Sequence, residues 1–317
     1  MKKILVTGST AYDVLLGYAG SFADAIAPES IEHLSVSFFS PHYARHHGGT
    51  GANIAWNLRL LNQSPLLVST VGKDGGEYAA LLRDRGIDTT HLEQLDAHVT
   101  ATAIIGTDTA SRQIAFFHPG ADAHGTWPGE KLQEDRDDLS YALVGARNGV
   151  LMMEAVRWCD KYKVPLLFDP GQLIIGLSKD ELVTGIRASK GLICNAYEWS
   201  LLAEKTSLSV DGVLKHCEYL VVTHGGDGLT IYTRVKEHVL RACKADKLVN
   251  PTGAGDAMRA GFLTGLSLGW PIDKAAQLGA SVASFVVEQE GTLLDALDLN
   301  DVLSRAELAY GDMLPEL

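Results

Sequence analysis

The chain has 317 residues, of which 46% are hydrophobic, so it is long enough to bury a sizeable core as one large domain. Its 27 basic and 39 acidic residues give a net charge of −12, which argues against a general nucleic-acid-binding protein because such proteins present a basic face. Four scattered cysteines without a C-x-x-C pair argue against a disulfide framework or a cysteine metal site, and no apolar run reaches the ~18 residues of a membrane span. We therefore expect a cytoplasmic protein with reduced thiols and with neither nucleic-acid nor membrane partners.

Strand-like and helix-like patterns alternate along most of the chain. Short apolar runs, typical of strands covered on both faces, occupy residues 4–7, 66–71, 141–144, 165–168, 192–194 and 220–223, with a further short strand signal at 247–249. Helical apolar spacing occupies residues 51–61, 76–85, 150–162, 179–188, 197–205, 253–268 and 272–287. This alternation predicts an α/β fold with a mostly parallel central sheet and helices on both of its faces.

Two segments depart from this alternation. Residues 31–47 and 98–118 alternate polar and apolar side chains with a period of two, which is typical of half-exposed β-strands. The two segments could pair as a small antiparallel lid over the main sheet, or they could extend its edge. The pattern alone leaves both arrangements open.

Residues 250–261 read NPTGAGDAMRAG and form the most informative motif of the chain. Gly253, Ala254 and Gly255 begin a predicted helix, where backbone N–H groups and the helix dipole bind anions such as phosphate. Asp256 follows directly, and a carboxylate beside an anion site favours a reaction in which the acid takes a proton from a hydroxyl during phosphoryl transfer. The alternative is an ordinary capped helix, because Gly and Asp are common near helix starts.

Two motifs in the N-terminal part indicate a site for a hydroxylated ligand. Gly48 and Gly49 precede a predicted helix and allow close backbone approach, while Asn53 projects from its first turn. This motif is not a dinucleotide fingerprint, because position 54 is Ile rather than the third glycine. Asp13 follows the first strand, near the edge where parallel α/β sheets bind ligands, although a turn or helix cap would also explain it.

Two further motifs follow strands in the second half of the chain. Asn195 and Glu198 are three residues apart, which suits a Mg²⁺ site with water-mediated oxygen ligands and equally well a helix-capping pair. Residues 223–228 read THGGDG, a loop whose backbone amides could bind phosphate, with a simple hairpin turn as the alternative.

Taken in chain order, these motifs resemble those of the ribokinase-like (PfkB) family of sugar and nucleoside kinases. The resemblance covers essentially the whole chain and depends on Gly-Gly-x-x-x-Asn at 48–53, Asn-x-x-Glu at 195–198, Thr-x-Gly-x-x-Gly at 223–228 and Thr-Gly-Ala-Gly-Asp at 252–256. It implies a single kinase domain over residues 1–317 with the ribokinase-like three-layer α/β/α fold. Segments at about residues 12–47 and 95–120 would form a β-strand lid that excludes water from the site.

The resemblance also implies a role for each motif. Asp256 would be the general base, and the N–H groups of Gly253, Ala254 and Gly255 would form the anion hole. The substrate contacts would be Asp13, Ser9, Gly48, Gly49, Asn53, Asp169 and Gln113. The ATP contacts would be Thr223, Gly225, Gly226, Gly228 and Asn195, with Mg²⁺ organised by Glu198 and Asn195 through water or phosphate.

Within the family, the chain looks most like the bacterial and archaeal adenosine or nucleoside kinases. The residues that carry this likeness are 9–13, 117–121, 168–172, 197–199 and 251–261. The implied activity is ATP-dependent phosphorylation of the 5′-hydroxyl of a purine nucleoside, first of all adenosine, in purine salvage. The alternatives are a ribose or fructose kinase of the same family and, more remotely, a non-catalytic binding protein on the same scaffold.

Three further expectations concern the lid, cations and assembly. Phe38, Phe116 and Phe117 favour a ligand with an aromatic ring, although a lid core would explain them too. The family often has an acid where this chain has Asn250, so the resemblance leaves open whether a monovalent cation binds beside ATP and Mg²⁺. The protein is expected to be a monomer or a homodimer joined through its exposed lid strands.

Overall fold

The computed structural model describes residues 2–26, 35–110 and 112–317, and its thirteen strands are numbered along the chain. They are β1 Lys3–Thr7, β2 Ala11–Gly17, β3 His42–Gly48, β4 Pro65–Gly72, β5 Asp88–Leu95, β6 Ala101–Thr107, β7 Gln113–His118, β8 Leu139–Val144, β9 Leu166–Phe168, β10 Gly191–Asn195, β11 Tyr219–Thr223, β12 Leu229–Thr233 and β13 Glu237–Leu240. Nine of them form one sheet in the order β13-β12-β11-β10-β9-β8-β1-β4-β5. The strands from β11 to β5 pair in parallel, while β12 and β13 are antiparallel additions at one edge.

Helices cover both faces of this sheet. They are α1 Phe22–Ala25, α2 Thr50–Leu60, α3 Gly76–Asp84, α4 Gly149–Tyr162, α5 Lys179–Ala188, α6 Ala196–Thr206, α7 Val210–Leu214, α8 Ala254–Ser267, α9 Ile272–Val286 and α10 Leu299–Tyr310. Leu5 on β1 points into the core shared with α4 to α7, whereas Ile4 and Val6 point into the core shared with α2, α3, α8 and α9. Side chains of a strand alternate between faces, so an uninterrupted apolar run supplies both cores, as predicted for the α/β/α arrangement.

A separate four-stranded sheet, here called the lid sheet, has the order β3-β2-β6-β7. The alternating segments therefore form a sheet of their own rather than an extension of the main one. They do not pair directly with each other, because β2 lies between β3 and β6. The pairing is also mixed rather than purely antiparallel, since β2 and β6 run in parallel.

Several boundaries differ from the sequence prediction. Of the segment 31–47, residues 31–34 lie outside the described residues, 35–40 have no regular structure, and only the last part forms β3. The strand predicted at 247–249 is wrong: Val249 and Asn250 instead donate backbone hydrogen bonds to the Val287 carbonyl at the end of α9. The prediction also missed β5, β12, β13 and α10. β5, β13 and α10 are partly exposed, so their sequences mix polar with apolar residues, whereas β12 is mostly buried but has threonine at two of its five positions.

The cysteines agree with the prediction of reduced thiols, since all four are free and buried. Burial raises the pKa of the Cys159 thiol to about 12, and the reactive thiolate is therefore absent near neutral pH. No helix in the described ranges is both long and apolar enough to cross a bilayer.

Candidate active site

The predicted motifs meet at one edge of the main sheet, where the parallel strands have their carboxyl ends. β1 ends just before Ser9, β9 ends before Asp169, β10 ends at Asn195 and β11 ends at Thr223. The N-terminal ends of α2 and α8 reach the same edge, because these two helices pack against each other. Open α/β sheets bind their ligands at such an edge.

The N-terminus of α8 is uncapped by any side chain. Gly253 precedes the helix with φ of 84°, a left-handed conformation that favours glycine, and a Cβ there would lie 2.9 Å from the Thr292 side chain. The Ala254 N–H donates to the Pro251 carbonyl at 3.3 Å. The N–H groups of Gly255 and Asp256, in the first turn, have no acceptor within the helix, and N–H groups at such a helix end are able to hold an anion.

Asp256 lies in this first turn, half-buried and closely surrounded by protein. Burial raises the pKa of its carboxyl from 3.8 to about 7, with smaller contributions in the same direction from Asp169 and Asp13. A hydrogen bond from Asn53 and the charge of Arg259 act in the opposite direction. A carboxyl with a pKa near 7 exchanges protons readily at neutral pH, which is the property required of a general base.

Asn53 links α2 to Asp256. Its Nδ2 donates to Asp256 Oδ2 at 2.8 Å, and its Oδ1 accepts from the Thr292 hydroxyl at 2.8 Å. The same hydroxyl lies 3.1 Å from the His47 carbonyl on β3 of the lid sheet. The sequence predicted Asn53 as a ligand for substrate hydroxyls, and the structure adds that its amide contacts the candidate base directly.

Asp13 lies within β2 of the lid sheet, so the alternative of a turn or helix cap after β1 is wrong. Among the described residues, its carboxylate receives no hydrogen bond, and burial raises its pKa. Gly48 makes room for it, because a Cβ at position 48 would lie 2.4 Å from Asp13 Oδ2. An unpartnered, desolvated carboxylate at a ligand-binding edge is suited to accept hydrogen bonds from ligand hydroxyls.

The other two predicted substrate contacts in this region serve the backbone. Ser9 Oγ accepts from the Thr50 N–H at 3.2 Å, and its carbonyl accepts from the Gly51 N–H at 2.9 Å. Gly49 has φ of 91°, and a Cβ there would lie 2.6 Å from the Ser9 carbonyl oxygen. Ser9 and Gly49 thus fix the start of α2; the Ser9 hydroxyl still has its own proton to donate, and its contact with substrate stays a prediction.

Asn195 and Glu198 form a capping box at the start of α6. Asn195 Oδ1 accepts from the Glu198 N–H, and Glu198 Oε2 accepts from the Asn195 N–H, each at 2.8 Å. Burial raises the pKa of the Glu198 carboxyl, and Asp169 acts in the same direction. The capping interpretation is therefore correct, and the second carboxylate oxygen of Glu198 remains available for a hydrated cation.

The glycine-rich loop joins β11 to β12 as a hairpin, with Thr223 opposite Leu229. Gly228 has φ of 105°, and a Cβ there would lie 2.0 Å from the Leu240 carbonyl oxygen, so this glycine is required by the turn. Gly225 and Gly226 face open space, where a Cβ would meet no atom within 4 Å. Their backbone is accessible to a ligand at the same edge as α8.

Comparison with known proteins identifies the family. Residues 1–298 match the pfkB family of carbohydrate kinases. The chain belongs to this family. The nucleoside kinase of Methanocaldococcus jannaschii is 29% identical to this kinase over 310 residues, which cover 97% of both chains. The ribokinase of Haemophilus influenzae is 24% identical over 255 residues, covering 77% of this chain and 82% of that one.

A solved structure with the same fold gives a closer spatial comparison. The nucleoside kinase of Burkholderia thailandensis in complex with ADP-inosine has a TM-score of 0.85 against this kinase at 30% identity, covering 98% of this chain and 97% of that chain. The ribokinase-like α/β fold predicted from the motifs is thereby confirmed.

Two predicted substrate contacts of this kinase are placed differently by the structure. Arg259 donates to both carboxylate oxygens of Asp169, from Nε to Oδ2 and from Nη2 to Oδ1, the latter at 2.8 Å. Asp169 is only 2% exposed. Its carboxylate is therefore already engaged, and it acts on the site by raising the Asp256 pKa and by holding Arg259. Gln113 pairs with Thr107 at the far end of the lid sheet, four positions from Phe117, and does not lie beside Asp13.

Three residues of the site escaped the sequence analysis of this kinase. Arg259 is buried on α8, and Thr292 is buried in the segment after α9. Arg147 follows β8 and donates to Asp122, Thr7, Thr70 and the Val68 carbonyl, which ties the ends of β1, β4 and β8 together. Arg259 stands within the 250–261 motif but was given no role there, whereas Thr292 and Arg147 belong to none of the motifs; the burial of all three as polar side chains identifies them.

Proposed function

We propose that this kinase transfers the γ-phosphoryl group of ATP to the 5′-hydroxyl of a purine nucleoside. The observation that carries the proposal is Asp256, a carboxyl with a pKa of about 7 in the first turn of the uncapped helix α8. A base and an anion site within one helical turn are the two elements that transfer of a phosphoryl group to a hydroxyl requires.

The reaction follows from this arrangement. The acceptor hydroxyl would give its proton to the Asp256 carboxylate as its oxygen attacks the γ-phosphorus, and the bond to the β-phosphate oxygen would break to release ADP. The N–H groups of Gly255 and Asp256 would hold the transferred group, whose negative charge the α8 dipole favours. Positioning and electrostatics of this kind supply most of the rate in phosphoryl transfer.

The donor would lie on the side of Thr223 and the accessible glycines Gly225 and Gly226. The ADP-inosine complex of the Burkholderia relative supports ATP as the donor. Magnesium in nucleotide sites is held by one or two carboxylates, water and phosphate oxygens, a ligand set that the second oxygen of Glu198 fits, with Asn195 beside it. When bound, the ion would neutralise phosphate charge during the transfer.

The acceptor would lie under the lid sheet. His46, Asp13, Ala103 and Phe117 occupy one cross-strand row, so their side chains share a face of that sheet. Asp13 and Phe117 are two strand spacings apart, about 9.6 Å, with only the small Ala103 between them. Phe117 is 59% exposed. Ribose hydroxyls at Asp13 and a base against the Phe117 ring would fill this row.

Two observations favour a nucleoside over a free sugar. The relatives that match nearly the whole chain include nucleoside kinases, one of them with bound inosine, a purine nucleoside. The exposed ring of Phe117 lies on the same face as Asp13, where a free sugar would leave it uncovered. Phe38 does not contribute, because it packs against Tyr18 and Phe22 inside the lid. Adenosine is the first substrate to test, in keeping with a role in purine salvage.

The test is ATP consumption by the purified protein with Mg²⁺ and a panel of acceptors: adenosine, inosine, guanosine, cytidine, ribose and fructose. The proposal expects turnover with purine nucleosides and none with free sugars. Turnover with ribose or fructose alone would keep the family and the role of Asp256 while contradicting the substrate. Equal turnover of cytidine and adenosine would contradict the purine preference.

A further inference from the structure

A buried hydroxyl connects the candidate base to the lid sheet. Thr292 is 2% exposed, and its Oγ1 lies 2.8 Å from Asn53 Oδ1 and 3.1 Å from the His47 carbonyl oxygen on β3. Asn53 in turn donates from Nδ2 to Asp256 Oδ2 at 2.8 Å. These contacts form a continuous network of polar groups from the lid through α2 to the start of α8.

In this hydrogen-bond network, the Thr292 hydroxyl has only one proton to donate. A threonine hydroxyl donates once, so the two carbonyl oxygens compete for it, and the shorter distance favours Asn53. The two ends of an asparagine amide have nearly the same shape, and only their hydrogen-bond partners decide which end faces which group. A donor at Oδ1 therefore turns the Nδ2 donor toward Asp256, whereas the reversed amide would place an acceptor against the carboxylate.

We propose that Thr292 is a positioning residue, which orients the Asn53 amide so that it donates to the Asp256 carboxylate. The inference deepens the proposed function, since it assumes that the ionised form of Asp256 is the base. Without the hydroxyl, the Asn53 amide loses the partner that fixes its direction. The ionised carboxylate then loses part of a charge-assisted hydrogen bond.

Other charges around Asp256 remain unchanged by substitution at position 292. Asp13 on β2 and Asp169 after β9 oppose its ionisation, while Arg259 on its own helix favours it. Tyr78 on α3, hydrogen-bonded to the Gly48 carbonyl at 2.9 Å, is buried and stays neutral because its pKa is raised well above its usual value. A change in the Asp256 titration on removing the hydroxyl is therefore attributable to Asn53.

Three variants at position 292, compared with the wild type, separate the hydroxyl from simple packing, because the Thr292 side chain also lies close to Gly253, where a Cβ would be 2.9 Å from its Cβ and Cγ2. Serine keeps the hydroxyl and loses the methyl group, valine keeps the shape and loses the hydroxyl, and alanine loses both. If the hydroxyl orients Asn53, then Thr292→Ser matches the wild type, whereas Thr292→Val and Thr292→Ala behave alike. If only packing matters, Thr292→Val matches the wild type and the serine and alanine variants behave alike.

The first readout is the carboxyl ¹³C titration of Asp256 by NMR, without substrates, with the resonance assigned from its absence in Asp256→Asn. We expect Thr292→Val and Thr292→Ala to raise the Asp256 pKa by about one pH unit, a partial loss of a hydrogen bond to a charged group. The second readout is kcat/KM, which should fall roughly tenfold more than in Thr292→Ser at pH 6 and recover at pH 9.

A folded Thr292→Val variant with an unchanged Asp256 titration would overturn the inference. If neither variant lacking the hydroxyl folds, the wild-type protein still provides a test. The side-chain amide resonances of Asn53 must then shift with pH together with the Asp256 carboxyl resonance, and amide resonances that do not change with pH would overturn the inference. The NMR titration needs no acceptor. A protein that phosphorylates only free sugars, or nothing, would therefore contradict the proposed function while leaving this test intact.

Discussion

Replacing Asp256 by asparagine should abolish turnover and, above neutral pH, make the protein more stable. Asparagine has nearly the same shape, and its Oδ1 can accept the hydrogen bond that Asn53 Nδ2 now donates to the carboxylate at 2.8 Å. Loss of a general base lowers kcat by about 10²–10⁴-fold. The fold no longer has to hold a desolvated negative charge between Asp13 and Asp169.

The expected gain follows from the pKa. In the folded protein the Asp256 pKa is raised from 3.8 to about 7, so the fold favours the protonated form. Below about pH 4 the carboxyl is protonated in both the folded and the unfolded chain, and its stabilising contribution is fully present. As the pH rises through 7, that contribution is lost. At 1.36 kcal/mol per pKa unit, the loss at pH 8 has an upper value of about 4 kcal/mol.

Urea denaturation at pH 4.5, 6 and 8 measures this difference, with Asp84→Asn as the control because Asp84 is an exposed acid at the end of α3. The free energy of unfolding of Asp256→Asn relative to wild type should increase from pH 4.5 to pH 8 and then level off. The control should stay within about 0.5 kcal/mol at every pH. A difference that does not grow with pH, or turnover near the wild-type rate, would refute the reasoning.

Three further substitutions test the site and its support. Phe117→Ala should raise the KM for the nucleoside by about 5- to 150-fold, since ring stacking on a base contributes about 1–3 kcal/mol. The control Phe116→Ala, on the opposite face of the lid sheet, should leave this KM unchanged, and equal effects would contradict the proposed base position. Gly48→Ala would place a Cβ 2.4 Å from Asp13 Oδ2, so steady-state kinetics should show a larger KM for the nucleoside and an unchanged KM for ATP. An equal increase in both KM values would contradict the place of Asp13 in the acceptor site. Arg147→Ala should lower the free energy of unfolding by about 3–5 kcal/mol, because it leaves a buried carboxylate at Asp122 without its charge partner, and a loss below about 1 kcal/mol in urea titrations would contradict this.

The sequence predicted the central sheet well because its strands are buried on both faces. Such strands appear as uninterrupted apolar runs, and all six that were predicted are present. The strand predicted at 247–249 failed because three apolar or long side chains near a Pro-Thr-Gly turn satisfy the same pattern without a neighbouring strand to pair with. Half-exposed strands such as β5 carry too few apolar residues for the pattern to detect.

The site residues divide in the same way. Glycines and Asp256 were predictable because a helix N-terminus that binds phosphate requires small residues and leaves a short local motif. Thr292 and Arg259 were not, since each matters through a contact made across the fold: Thr292 is 239 positions from Asn53, and Arg259 is 90 positions from Asp169. The substrate contacts of Ser9 and Asp169 stay predictions; the structure adds the protein partners that sequence does not show, the Thr50 N–H for Ser9 and Arg259 for Asp169.

The distribution of charge at the site also explains how an acidic protein of net charge −12 can bind a polyanionic donor. Three carboxyls, Asp13, Asp169 and Asp256, lie close enough for the first two to raise the pKa of Asp256. At the proposed acceptor position an uncharged nucleoside would bring no repulsion with them. Arg259 balances the negative charge of Asp169 by donating to both of its carboxylate oxygens. In the proposed arrangement the phosphates would instead meet the N–H groups of α8 and accessible glycine backbone, which carry no negative charge. The same residues thus separate the proton-accepting half of the site from its phosphate-binding half.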